Sequence, residues 1–334
     1  MLRPGSVLAL SGGIGGVKLA LGLDRVLPPG ALTVVVNTGD DFEHLGLAVS
    51  PDVDTTLYTL AGIANTELGW GREGETWSFM TELERLGGET WFRLGDKDLA
   101  VHVERTRRLA AGESLEAVVT AFASRLGIAA RVVPMTSDRV RTIVETEEGT
   151  LGFQHYFVRR RCEPAVRAIR FAGAEQAHPP AAVMEALRSG AFDAVVICPS
   201  NPYLSIDPIL AIPGWRTALR ACDAPVIAVS PIIGGQAVKG PTAKIMRELS
   251  IDASPLSVAG HYADVLDGFV LDETDAALAS RFDVPVRIAP TLMRTLADKE
   301  RLAREVLDFA GMLREAKPAR MRAVSRGRRD GAQA

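Results

Sequence analysis

The sequence predicts an α/β protein: a doubly wound, mostly parallel sheet with an inserted layer of helices beside it. Three observations carry that expectation. Short apolar, β-branched runs recur along the chain, as in Val34-Val35-Val36, DAVVIC (193–198) and PVIAVS (225–230). They lack polar alternation, the pattern of strands covered on both faces. Amphipathic helical stretches separate most of them, which asks for crossover connections rather than hairpins.

Taken in order, residues 6–10 form the first strand, and Ser11-Gly12-Gly13-Ile14-Gly15-Gly16 follows at once. Residues 17–26 read as a helix with Leu19, Leu23 and Val26 on one face. The Val34 strand completes a βαβ opening. Glycines let backbone approach a phosphate, and a helix N-terminus supplies N–H donors there. The loop is neither G-x-G-x-x-G nor a Walker A sequence, since Leu19 follows Lys18. It reads as a tight connection or as an anion cradle, and its place at the first strand end favours the cradle.

The second strand ends in Asn37-Thr38-Gly39, and Asp40, Asp41, Asp52 and Asp54 follow closely. Ligands of open α/β sheets sit outside the carboxyl ends of strands, and carboxylates gathered there can hold a hard cation. Taken singly, each Asp reads as a turn former or helix N-cap. The cluster points to a site.

Residues 55–64, 76–86, 99–110 and 114–126 are successive amphipathic segments, too many for one crossover, so an insertion of helices is expected over about 55–130. Trp91-Phe92-Arg93-Leu94-Gly95-Asp96 breaks their periodicity and reads as a loop. Trp70, Trp77, Trp91 and Phe92 fit core packing, or an aromatic wall for a flat heterocycle. Strands are expected at 131–134, 140–146, 150–158, 166–171, 193–198, 225–230 and 268–271, the second and third joined as a hairpin through 147–149. Several end in turn chemistry: Pro199-Ser200-Asn201-Pro202, Pro231 to Gly235, and Asp272. Lys239-Gly240-Pro241-Thr242 then leads into a helix carrying Lys244 in its first turn. A final helix spans 295–313. Residues 1–316 thus read as a single domain, and 317–334 as a basic, disordered tail.

Composition narrows the function classes. The chain is 47% hydrophobic and 24% charged, ordinary for a globular protein. A net charge of −3 argues against nucleic-acid binding by bulk electrostatics. Cys162, Cys198 and Cys222 have no metal-ligand spacing and suit a reducing compartment. No apolar stretch reaches bilayer length and none near the start reads as a signal peptide. The expectation is a cytoplasmic protein that binds neither nucleic acid nor membrane.

Seven motifs in order, SGGIGGVKLALGL (11–23), VVNTGDDF (35–42), SPDVDTTLYTLAG (50–62), RLGDKDLAVHVERT (93–106), PMTSD (134–138), PSNPYLSIDPIL (199–210) and SPIIGGQAVKGPTAKIM (230–246), make the sequence resemble the CofD/FbiA family. These are the 2-phospho-L-lactate transferases of coenzyme F420 biosynthesis. The resemblance implies a Rossmann-like sheet and a Mg²⁺-dependent transfer between two substrates. The donor would be a guanosine-diphospho-linked three-carbon acid. The acceptor would be the deazaflavin Fo, whose terminal ribityl hydroxyl attacks phosphorus as GMP leaves. It places Asp54 and Arg93 at Fo, with Asp54 also the catalytic candidate. Asp41 and Asp54 become the metal candidates. Gly12, Gly13, Gly15, Gly16 and Lys18 would lie against the diphosphate, with Ser200 and Asn201 meeting the nucleotide. Ile14 and Val17 stand where archaeal forms often have Thr and Pro. A homodimer is implied as well. Two other readings compete: a dinucleotide-dependent oxidoreductase, disfavoured by the missing G-x-G-x-x-G, and a regulatory nucleotide-binding protein of the related YvcK branch, against which the RLGD and SPDVDT motifs weigh.

Overall fold

The computed structural model describes residues 5–67, 69–237 and 240–330, with side chains to residue 316. Seven parallel strands form the central sheet: β1 (Val7–Ser11), β2 (Leu32–Val36), β3 (Arg131–Pro134), β4 (Ala194–Ile197), β5 (Val226–Val229), β6 (Gly268–Asp272) and β7 (Val286–Ala289). In these labels their order across the sheet is 3-2-1-4-5-6-7. That is the doubly wound arrangement, and the order reverses at β1. The chain runs outward from β1 through β2 to β3 and then crosses back to lay β4 on the other side of β1, so a crevice opens between the carboxyl ends of β1 and β4. Every residue of β1, β2, β4, β5 and β6 is buried, which is why these segments read as unbroken apolar runs.

Side chains alternate across the sheet. Leu8, Leu10, Val35, Val195 and Ile197 enter the core on one face. Ala9, Val34, Val36 and Val196 enter the core on the other, with the helix α1 (Gly13–Val26) and the closing helix Leu296–Asp330. The insertion expected beside the sheet is present as α2 (Pro51–Leu60), α3 (Ser78–Arg85), α4 (Asp96–Ala110) and α5 (Leu115–Arg125). Pro51 starts α2 where its missing N–H costs nothing, and Asp52 and Asp54 lie in that first turn, beside the positive end of the helix dipole. An antiparallel hairpin, Phe42–His44 with Leu47–Val49, bridges β2 and α2. A three-stranded antiparallel sheet, Gly149–Gly152, Arg141–Thr146 and Val166–Ala172, follows β3.

Four expectations are corrected. The strand read at 150–158 stops at Gly152, and His155–Arg159 winds into a single π-helical turn. Its aromatic and β-branched composition mimics a strand, but the Gln154 amide donates to the Asp40 carbonyl at 3.2 Å and draws the segment out of the small sheet. Helix α1 begins at Gly13, so most of the glycine loop is its first turn. Strand β7 and the 42–49 hairpin went unread, being edge or three-residue strands with little periodicity. The closing helix runs on to Asp330 through most of the stretch read as a disordered tail, its Ala and Arg residues favouring helix against Pro318 and Gly327. Residues 331–334 lie outside the described residues, as does Lys239; the helix it was read to precede is present as Thr242–Glu248. Among the described residues no helix is long and apolar enough to cross a membrane.

Candidate active site

A cavity of about 860 Å³ occupies the crevice at the carboxyl ends of the strands. One wall is the first turn of α1, with Gly12, Gly13, Ile14, Gly15 and Lys18. Facing it is the loop after β4, with Pro199, Ser200, Asn201 and Ser205. Asp40 and Asp52 form its acidic floor, and Trp70, Trp91, Phe92 and Arg93 an aromatic flank. Another wall is made by Phe153, Gln154, Phe157, Val158 and Arg161, from the segment around the π-helical turn.

The glycines also have a packing role. A Cβ on Gly12 would sit 2.7 Å from both Asp52 Oδ2 and Ser205 Cβ. One on Gly15 would come under 3.0 Å from the Pro199 carbonyl oxygen, and one on Gly16 under 3.0 Å from the Ser200 and Ser11 hydroxyls. Missing side chains therefore let α1 close onto the β4 loop. Gly13 differs: it has φ +62°, and a Cβ there would meet nothing nearer than Ser205 Oγ at 3.8 Å. Ser200 Oγ accepts from Gly12 N–H at 3.1 Å, tying the two walls together. The Asn201 side chain accepts from the N–H groups of Tyr203 and Leu204, capping the turn that follows. Lys18 Nζ donates to the Met293 carbonyl at 3.1 Å, beside the cavity. Gly16 does not line the cavity.

The acidic group is dense and dry. Asn37 organises it: Nδ2 donates to Asp52 Oδ2 at 3.0 Å, and Oδ1 accepts from Gly39 N–H at 2.8 Å. Burial, with Asp52 beside it, holds the Asp40 carboxyl well above the usual carboxylate range. Burial likewise pushes Asp41 up to about 7, against the Ser50 hydroxyl, which donates to Oδ2 at 2.7 Å. Asp52 is pushed up by burial to about 6. One oxygen each of Asp40 and Asp41, Oδ1 in both, has no hydrogen-bond partner.

Asp54 acts electrostatically on Asp41, but its own oxygens are committed elsewhere. It borders a small recess of about 70 Å³ that shares Pro51, Thr55, Trp70, Phe92 and Arg93 with the main cavity. The fully buried Arg105 guanidinium grips both its oxygens, Nη1 donating to Oδ2 at 3.1 Å and Nη2 to Oδ1. His102 Nδ1 accepts from Arg105 Nη1 at 3.3 Å, which leaves Nε2 to carry the proton and face Asp98 Oδ2 at 3.3 Å. Tyr58 Oη donates to the other Asp98 oxygen at 2.5 Å. Asp54, Asp98 and His102 lie close enough to share a metal ion, but the Arg105 guanidinium already supplies the cation there.

Arg93 has no carboxylate partner among the described residues. Its guanidinium lies over the Trp77 ring, 4.2 Å from the centroid. The neighbouring acids are committed elsewhere: Asp96 accepts from Thr76, Ser78 and Phe79 around the start of α3, and Asp98 from Tyr58. Trp91 and Phe92 pack with Phe42 and His44, so they serve as both wall and core.

Of the expected residues, the fold brings Gly12, Gly13, Gly15, Lys18, Ser200, Asn201 and Arg93 to one cavity, sets Asp54 in its recess and puts Asp41 behind Asp40. Sequence reading left Asp40 and Asp52 without an individual role. It gave Ser230 no role of its own within its motif, and it missed as site residues Phe153, Phe157, Arg161 and Thr291–Met293, which reach the cavity by tertiary packing and carry no motif spacing.

The sequence profile of the family described as CofD, 2-phospho-L-lactate transferase, matches residues 7–309. The chain is 41% identical to the phosphoenolpyruvate transferase of Streptomyces coelicolor over 93% of its own length and 99% of the relative's. It is 45% identical to the 2-phospho-L-lactate transferase of Methanopyrus kandleri, over 89% and 95% respectively. A crystal structure of a UPF0052 family member from Bacillus halodurans superposes with a TM-score of 0.59, covering 92% of this chain and all of that one. At 13% identity that likeness shows the fold alone. With nearly the whole length matched and the sheet and its switch-point cavity in place, the chain belongs to the CofD 2-phospho-L-lactate transferase family.

Proposed function

We propose that this protein transfers a phosphorylated three-carbon acid from a guanosine-diphospho-linked donor to the terminal ribityl hydroxyl of the deazaflavin Fo, releasing GMP, in coenzyme F420 biosynthesis. The observation that carries the reading is one cavity with three kinds of wall: glycine turn, carboxylate floor and aromatic flank. Phosphoryl transfer asks a protein mostly for positioning and charge stabilisation. The first turn of α1 offers N–H donors to the diphosphate and Lys18 a positive charge. Trp70, Trp91 and Phe92 offer a surface for the tricyclic ring. Relatives named for phosphoenolpyruvate and for 2-phospho-L-lactate agree on the class of acid.

The carboxylates fit a magnesium ion. Asp40 and Asp41 each keep a buried oxygen without a partner, and burial lifts both carboxyls, so a divalent cation would relieve a real electrostatic cost. Asp40 and Asp41 would hold it, and it would neutralise charge on the phosphates. Asp54, expected from the resemblance as a ligand and catalytic group, has both oxygens on Arg105, so we assign it to the acceptor side, through the recess beside Arg93. Asp52 faces the cavity with a carboxyl near 6, suited to take the hydroxyl proton near neutrality. As the hydroxyl oxygen bonds to phosphorus, the bond from phosphorus to the GMP oxygen breaks.

The test is to incubate the protein with Fo, Mg²⁺ and each activated acid and weigh the products. A new phosphodiester of Fo with stoichiometric GMP is expected, and Asp52→Asn is expected to lose at least about 100-fold in rate, the usual worth of a general base, with Fo binding kept. No adduct with any activated acid would overturn the reading.

A further inference from the structure

We infer that Arg161 forms a carboxylate subsite, taking the acid group of the three-carbon unit; this rests on the reading above and names the part of the cavity that selects an acid. Arg161 lines the cavity from the wall that carries Phe153, Phe157 and Val158. Among the described residues its side chain makes no ion pair and no hydrogen bond. Among the described residues the cavity's other cations are engaged: Lys18 on the Met293 carbonyl at the glycine-turn wall, and Arg93 over the Trp77 ring at the aromatic flank. Each cation comes from a separate wall, and the donor carries two kinds of anion, a diphosphate and a carboxylate. With Lys18 beside the glycine turn, the diphosphate has its partner there. The planar fork of an uncommitted arginine matches a carboxylate through two parallel hydrogen bonds.

The backbone supplies the second observation. Arg161 has φ +48° and Cys162 φ +58°, two successive non-glycine residues in the left-handed region. Such residues are strained, and a surface loop free to choose would use glycine. The strain is held by the hydrogen bond from Cys162 N–H to the Tyr156 carbonyl, which folds the chain back onto the π-helical turn, and by the helix Thr242–Glu248 behind it. From that helix Lys244 donates to the Pro164 carbonyl at 3.2 Å, and Glu248 accepts from Val166 N–H at 3.1 Å. The same helix leaves the cavity wall at Pro241 and Thr242. Strain kept in place by packing at a ligand cavity marks a position set for binding.

The experiment compares three ligands on purified full-length protein by equilibrium dialysis. GDP has the diphosphate but no carboxylate, Fo has neither, and the phosphodiester product has the carboxylate. For Arg161→Gln we expect product affinity to fall about 10- to 100-fold, as for a lost charge-assisted pair, with GDP and Fo held within about twofold. Arg161→Gly should show the same loss with a melting temperature equal to or above that of the wild type, because glycine relieves the positive φ. An equal loss of GDP would make Arg161 a diphosphate contact and overturn the assignment. So would unchanged product affinity. A wild type that binds GDP and Fo yet forms no product fails the proposed transfer instead, so the two failures stay distinct.

Discussion

Replacing Gly15 by alanine sets two effects of known sign against each other. Gly15 lies in the first turn of α1, and alanine inside a helix is favoured over glycine by about 0.5–1 kcal/mol. Its new methyl group, however, would come under 3.0 Å from the Pro199 carbonyl oxygen, a backbone atom that no side-chain rotation can move aside. Forcing apart two packed backbones costs about 1–3 kcal/mol. The clash outweighs the gain, and a net loss of about 1 kcal/mol, at most about 2.5, is expected, or roughly 1–4 °C in melting temperature for a chain of this length. Gly311→Ala is the control: it is the same change in the closing helix, where a Cβ would meet nothing within 4 Å. That variant should gain about 0.5–1 kcal/mol. The assay is thermal melting of both variants, followed by GDP titration. Affinity for GDP should fall in Gly15→Ala and hold in Gly311→Ala. If Gly15→Ala melts higher, as Gly311→Ala should, the first turn of α1 is not pressed against the β4 loop and the packing argument fails.

Three further outcomes follow from the site. Arg105→Met should destabilise by about 3–5 kcal/mol in urea, because it strands the buried Asp54 charge; adding Asp54→Asn should recover part of the loss, and simple additivity of the two changes would show that they are uncoupled. Asp40, Asp41 and Asp52 all titrate above their unfolded value of about 3.9, so between about pH 4 and 7 the native state holds more protons than the unfolded one. Stability without metal should therefore fall as pH rises through that window, Asp41→Asn should flatten the fall, and Mg²⁺ should restore stability at about pH 8; melting temperatures that rise from about pH 5 to 8 without metal in the wild type and fall in Asp41→Asn would contradict this. Arg93→Lys should raise the KM for Fo about 10-fold, since an ammonium copies neither the planar fork nor the stack on Trp77, while the KM for the donor and the melting temperature stay put; an unmoved KM for Fo would remove Arg93 from the acceptor side.

The sheet was legible because its strands are buried on both faces, which leaves unbroken runs such as Leu32–Val36 in the sequence. Residues 150–158 misled because composition cannot report a tertiary hydrogen bond such as the one from Gln154 to the Asp40 carbonyl. At the site, the glycine turn and the carboxylate cluster were legible as local motifs at strand ends. What each glycine faces was not: the direction of an absent Cβ matters only against the loop after β4, which lies far along the chain. Nor was the commitment of Asp54, whose partner Arg105 stands one helix layer off on α4. Arg161 carries no sequence signal at all. Its proposed role rests on its place in the cavity wall and on its left-handed backbone.

The reversal of strand order at β1 also sets a timetable for synthesis. Strand β1 pairs with β2 on one side, but its other partner is β4, with Val7 opposite Ala194. At about 5–20 residues per second, a ribosome delivers that partner roughly 10–40 s after β1 emerges. Through that interval β1 is an open apolar edge, the kind of surface that recruits stray strands. The cavity cannot exist until the edge is closed, because its two facing walls grow from the ends of β1 and β4. Nascent chains should thus depend on chaperone cover until the fourth strand arrives, and ligands can rescue only chains that are already past that point.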